Sequence, residues 1–222
     1  NNLLLYIKFE NENNSLYRNN HIMAKATKEM CIYCFDVLID QFEHKRNVCT
    51  PSSILNENEN YPLFVTWDIK DERSGEYDLR GCIGCLSPLP LHKIGEYAIT
   101  SSMRDRRFNP VEPNEIPNLR CSVSLLTDYE HNKKWNDWVV GTHGIIIDFL
   151  VQGKKYNATY LPQVAAEQEW NVKDTVLSLI RKSGYRGKVD QNILSNIELT
   201  RYQSSKEYCT YEDYVNQKNA AK

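Results

Sequence analysis

The stretch whose residue types could do chemistry is Leu79-Arg80-Gly81-Cys82-Ile83-Gly84-Cys85-Leu86. It starts like a β-strand, yet it carries glycine and cysteine where a plain strand would carry branched apolar side chains. Glycine weakens a strand interior and marks a bulge, or a place where another group comes close to the backbone. Arg80 offers a planar fork of donors, and Cys82 offers a nucleophile or a soft metal donor. As a nucleophile Cys82 would work as a thiolate, its pKa lowered by Arg80, with a histidine as base. His143, between Gly141 and Gly144, is the candidate base, because Cys–His partners commonly lie far apart in sequence. The competing reading is a small buried cysteine that only packs.

Arg80, Arg104, Arg106 and Arg107 form a second constellation. If the arm that carries the last three folds back over the glycines, their guanidinium groups converge on a phosphate or carboxylate. Gly81 and Gly84 would let that anion approach backbone N–H groups. Against this, Asp105 and nearby acids would neutralise Arg104 and Arg106 in surface ion pairs. Glu167 sits one helical turn after Gln163 and could serve the same site as acid or base; the alternative is a solvated helix face.

Cys31-x-x-Cys34 and Cys82-x-x-Cys85 have the look of a four-cysteine zinc site, but geometry argues against it. Residues three apart on a strand point to opposite faces unless a bulge intervenes, and Cys31 and Cys34 already belong to a helical apolar period. The expectation is no metal and no cofactor, and a Cys82–Cys85 redox couple fails for similar reasons.

The elements that must position these residues follow from periodicity and punctuation. A helix is expected over 21–42, where Cys31, Phe35, Leu38 and Phe42 recur at helical spacing. Leu63–Ile69 reads as a strand, with Ser74-Gly75 in the turn of a hairpin into 79–86, which Pro88 and Pro90 should end. A helix is expected over 91–103, then an irregular proline-rich arm through Pro117, a strand over 121–126 and a short helix or turn over 133–138. A second hairpin pairs 144–151 with 156–161. Pro162 opens a helix to about Glu167, Asp174 caps another over 175–182, and a strand over 197–202 precedes a polar tail. Hairpins and helices without regular βαβ alternation indicate an α+β fold with a mainly antiparallel sheet.

Composition bounds the function classes. The 222 residues carry 27 basic and 29 acidic side chains, for a formal charge of −2, so no global charge favours nucleic acid or an anionic membrane. Fourteen tyrosines could stack on bases, but a nucleic-acid binder is the weakest reading. No apolar run approaches the roughly 20 residues of a membrane helix. Seven cysteines without regular spacing suggest reduced thiols and an intracellular setting.

The chain resembles the AMMECR domain family, named for the human contiguous-deletion syndrome that includes Alport nephropathy and elliptocytosis. The resemblance rests on Leu79-Arg80-Gly81-Cys82-Ile83-Gly84, Tyr61–Trp67, Cys121–Thr127, Val140–Ile145, Ala158–Ala165 and Leu199–Tyr202. It covers roughly residues 28–215 and looks closest to the eukaryotic branch. It implies an α+β domain over 21–215 made of two subdomains, the larger built from both ends of the chain; the preceding residues 1–20, rich in asparagine and without a sustained period, read as a poorly ordered tail or a lone strand. It further implies a cytoplasmic or nuclear location and a pathway link to Memo-type and radical-SAM proteins, without a named reaction. Arg107-Phe108 before Pro110 fits the family pattern, whereas Cys85 stands where the family usually has threonine.

The functional expectation is a ligand-binding cleft between two subdomains. Arg80, Gly81, Cys82 and Gly84 would form its floor and Arg107 and His143 its walls, for a small anionic or protein-borne substrate. If chemistry follows, Cys82 attacks and His143 takes the proton. The rival is a non-catalytic adaptor whose glycine-bearing signature stabilises a turn for a protein partner.

Overall fold

The computed structural model describes residues 25–43, 48, 50–54 and 60–220. The expected tail over 1–20, the start of the first helix at His21 and part of the polar run over 47–60 lie outside the described residues. The elements are α1 (Lys28–Glu43), β1 (Asn60–Lys70), β2 (Tyr77–Pro90), α2 (Ile94–Met103) and β3 (Leu119–Lys133). There follow β4 (Gly144–Val151), β5 (Lys154–Tyr160), α3 (Pro162–Glu167), α4 (Val172–Lys182), α5 (Gln191–Ser195), β6 (Glu198–Thr210) and α6 (Tyr211–Ala220). The strands form a six-stranded antiparallel sheet in the order β2-β1-β3-β6-β4-β5, so the fold is α+β. Among the described residues no helix is long and apolar enough to cross a membrane.

The chain divides into two compact units, one running to Leu125 and resuming at Ser205, the other spanning Leu126–Ser204. In the first, strand alternation separates two faces. Leu63, Val65 and Trp67 of β1 and Leu119, Cys121, Val123 and Leu125 of β3 join one core with Cys31, Cys34, Phe35 and Leu38 of α1 and Ile94 and Ala98 of α2. Phe35 meets Trp67 edge-on at 5.1 Å, and the Trp67 indole N–H donates to the Ala98 carbonyl at 3.0 Å, which satisfies the buried ring's polar atom. Phe64, Thr66, Asp68, Arg120, Ser122 and Ser124 alternate with these residues and take the opposite face.

β2 does not stop before its prolines: it continues through Pro88 to Pro90. It is the outermost strand, and its ladder to β1 is irregular between Cys85 and Leu89, so a residue without N–H is tolerated there. The expected β1–β2 turn is held by Asp71, whose carboxylate accepts from Arg73 N, Ser74 N and Ser74 Oγ.

In the second unit, β4 and β5 pack Ile145, Ile147, Phe149 and Ala158 against Val176, Leu179 and Ile180 of α4. Gln152 and Gly153, both at positive φ (51° and 78°), make their two-residue turn. The cap of α4 lies three residues before the expected Asp174: Asn171 is the N-cap, its side-chain oxygen accepting from Asp174 N at 2.9 Å. The stretch after Tyr202 is not a polar tail. β6 runs on to Thr210 and α6 follows, with Tyr214 5.3 Å from Phe35 and with Tyr214 and Lys218 both bonded to Asp36.

Candidate functional site

Two registers fix the signature. Trp67 pairs with Gly81 and Asp68 with Leu79, so Arg80 is an extra, bulged residue. From Cys82 to Cys85 the pairing with Thr66, Val65, Phe64 and Leu63 is unbroken, so the two thiols lie on opposite faces. A methyl group built on Gly81 would overlap the Ser101 carbonyl of α2. One on Gly84 would overlap the Phe64 ring and the Leu63 carbonyl. Both glycines therefore serve close approach, but the approaching groups belong to this chain. Among the described residues no group of three or more His, Cys, Asp or Glu is arranged to hold a metal ion.

The two arginines of the expected site are engaged. Arg80 donates through Nε and Nη2 to the two oxygens of Glu115 at 2.7 and 3.0 Å, and also to the carbonyls of Asn109 and Pro110. This bidentate pair holds the Glu115 carboxyl below its ordinary range. Arg107 donates to both oxygens of Asp105 at 3.0 and 2.6 Å, and its Nη2 also reaches the Cys82 carbonyl at 3.1 Å. Asp105, 6% exposed, accepts in addition the backbone N–H of Cys82 at 2.9 Å and that of Arg107 at 3.1 Å. Burial works to raise its pKa, but the Arg107 guanidinium and these amides outweigh it and hold the carboxyl below its ordinary value. Asp105 thus pairs with Arg107, not with Arg104 or Arg106, and the pair grips Cys82 by both backbone polar groups.

Cys82 itself is half-buried on the face opposite the helices. Its sulfur accepts the Thr66 hydroxyl at 3.1 Å across the β1–β2 ladder. Burial pushes the thiol above its ordinary value; the Thr66 bond and Arg107 oppose this, and Asp105 and Asp68 add to it. The sign is opposite to the lowering expected from Arg80, whose fork is turned to Glu115.

His143 and Glu167 belong to the second unit. The Val139 backbone N–H donates to His143 Nδ1 at 3.0 Å, and the His143 backbone N–H donates to the Val139 carbonyl at 3.0 Å. Nδ1 is thus occupied as an acceptor by a neighbouring backbone amide. Glu167 ends α3 and is exposed.

Sequence reasoning missed the row that Cys82 shares. Thr66 pairs with Cys82 on one side and with Ser122 on the other, and these three short polar side chains stand together on one face. Ser122 is 1% exposed, and its Oγ has no hydrogen-bond partner among the described residues. The signal was present in Cys121-Ser122-Val123-Ser124-Leu125, where small polar residues alternate with apolar ones.

The AMMECR1 family model matches residues 31–207, which takes in most of α1, the signature, the row and most of both units. The chain belongs to the AMMECR1 family. Among AMMECR1-like relatives, an uncharacterized Arabidopsis thaliana protein is 46% identical over 199 residues, covering 87% of this chain and 91% of its own. An uncharacterized Schizosaccharomyces pombe protein is 38% identical over 189 residues, covering 85% and 95%. The crystal structure of the uncharacterized Pyrococcus horikoshii protein PH0010 superposes with a TM-score of 0.60 at 23% identity, over 84% of this chain and 93% of that one. That likeness is one of fold.

Proposed function

We propose that this AMMECR1-family chain binds a small ligand on the face of β1–β3 turned away from α1 and α2, with Thr66, Cys82 and Ser122 as its floor. The observation that carries the reading is the Ser122 hydroxyl, buried and without a partner among the described residues. An orphaned buried hydroxyl costs about 1–3 kcal/mol, and a hydrogen-bonding group brought by a ligand would relieve it. The row offers one hydroxyl with full capacity, one hydroxyl already donating to sulfur, and a protonated thiol. Their complement is an uncharged group that both donates and accepts, such as an amide or a hydroxyl. A protein-borne substrate carries such groups as readily as a metabolite does.

A cysteine-dependent reaction is a second stage of the same reading. Cys82 brings the strongest nucleophile of the row, and its proton would pass to a base supplied with the ligand, since His143 Nδ1 already accepts the Val139 N–H. The adaptor reading keeps the same face without chemistry. Bulky residues at Gly81 and Gly84 do not separate the two, since they would disrupt packing against α2 and Phe64 first.

The test is an NMR titration of the protein with acetamide and glycerol as small polar probes. Amide shifts should cluster on Thr66, Cys82 and Ser122 and weaken in Ser122→Ala. Perturbations scattered over the surface, unchanged by that substitution, would overturn the reading.

A further inference from the structure

One row along the same face lies an arginine that the signature does not contain. Arg120 is two residues from Ser122 on β3 and pairs in register with Asp68. Its guanidinium carbon stands 4.2 Å from the centre of the Tyr77 ring and 5.6 Å from that of Tyr208, which is 53% exposed. Its pairing differs from those of Arg80 and Arg107. Nε and Nη2 both converge on one oxygen, Asp68 Oδ2, at 3.2 and 3.0 Å, which leaves Nη1 uncommitted among the described residues. The Arg120 side chain is 30% exposed, against 13% for Arg80 and 23% for Arg107. Asp68 therefore orients this guanidinium without saturating it, and the guanidinium lies over two aromatic rings.

We propose that Arg120 anchors a carboxylate of the ligand, whose uncharged end meets Ser122 and Cys82 about 7 Å along the strand, the rise of two residues. The inference rests on the ligand face argued above and adds the substrate class: a small polar carboxylic acid. The charge favours a monoanion. Asp68 and Arg120 together are neutral, so one further negative charge is met by a directed N–H donor, whereas a phosphate dianion would bring a second negative charge beside the Asp68 carboxylate with no cation to match it in this pair.

The experiment uses Cys82 as reporter. In the Cys49→Ser, Cys85→Ser background the remaining described thiols, Cys31, Cys34, Cys121 and Cys209, are buried. Rate constants for modification of Cys82 are measured with 5,5′-dithiobis(2-nitrobenzoate), an anionic aromatic disulfide, and with 4,4′-dithiodipyridine, a neutral one. Their ratio cancels the shared effect of thiol pKa and burial. Arg120→Gln should lower the ratio about tenfold with the neutral rate nearly unchanged. Arg120→Lys, which keeps the charge and loses the fork, should lower it about threefold, and Arg104→Gln should leave it alone. In protein with Arg120 intact, sodium acetate should slow the anionic reagent more than sodium chloride does at equal ionic strength, a comparison that holds even if Arg120 variants misfold. A ratio indifferent to Arg120, or acetate acting no differently from chloride, overturns the carboxylate anchor and leaves the ligand face standing. Failure of the folded protein to react at Cys82 with either reagent overturns both.

Discussion

The Thr66 hydroxyl donates to the Cys82 sulfur at 3.1 Å, across the pair of strands that bears the signature. The bond favours the thiolate, yet burial outweighs it and the thiol stays above its ordinary value. Cys82 is therefore a protonated thiol at neutral pH, held in place by its neighbours.

Iodoacetamide should alkylate Cys82 more slowly at pH 7.5 than it does a small-molecule thiol, with an apparent pKa above the reference of about 8.5. Thr66→Val removes the hydroxyl that donates to the sulfur and should move that pKa higher still. A pH–rate profile centred at or below the reference would contradict the assignment.

Asp105→Asn keeps the shape of the Cys82–Arg107 grip and removes its charge. The loss should be about 1–3 kcal/mol of stability at pH 7, since one partner of a half-buried ionic hydrogen-bond network is neutralised. Because the folded carboxyl lies below its ordinary value, its contribution is complete above the unfolded pKa of about 3.9 and fades as pH falls through the folded value. Urea denaturation from pH 7 to pH 3 should show the variant losing less stability than the parent over the acid limb.

Gly81→Ala and Gly84→Ala should each destabilise by about 1–3 kcal/mol, the usual cost of overpacking a filled site. Gly81→Ala should also loosen the C-terminal turn of α2, because the clash is with the Ser101 carbonyl. Thermal melts measure the first effect, and hydrogen exchange at the amides following Ser101 the second.

In the second unit, Arg201 bonds both oxygens of Glu130, at 2.9 Å each, and Lys133 adds a further contact. These partners lower the Glu130 carboxyl to about 2. Arg201→Gln should return most of that shift, as read from the side-chain carboxyl resonance in an NMR titration. High salt should raise the parent value, since the pair is exposed to solvent.

How far the sequence could be read depended on how local each determinant is. The hairpin turns at Ser74-Gly75 and Gln152-Gly153 and the helical period of Cys31, Phe35 and Leu38 are written within a few residues, and they appear where expected. β2 ran past its prolines because the outermost position of a strand is a property of the sheet. α6 was missed although Thr210 and Asp213 exchange the reciprocal bonds of a helix cap, a signal visible in the sequence. The partners of the two signature arginines escaped for opposite reasons. Glu115 lies 35 positions from Arg80 and comes to it only through the folded arm, whereas Asp105 is two residues from Arg107 and was assigned to the wrong neighbours. Ser122 was legible as a residue type, but its lack of a partner is a fact of packing.

The Asp105–Arg107 grip bears on association as well as on the site. An exposed sheet margin recruits other chains through unpaired amides and carbonyls. At Cys82 both groups already face an ionised side chain. An extended peptide pairing with β2 at Cys82 would have to evict a matched acid and base to gain a ladder bond there. At this point of the strand, charged side chains of the chain itself hold the place that an added strand's backbone would take.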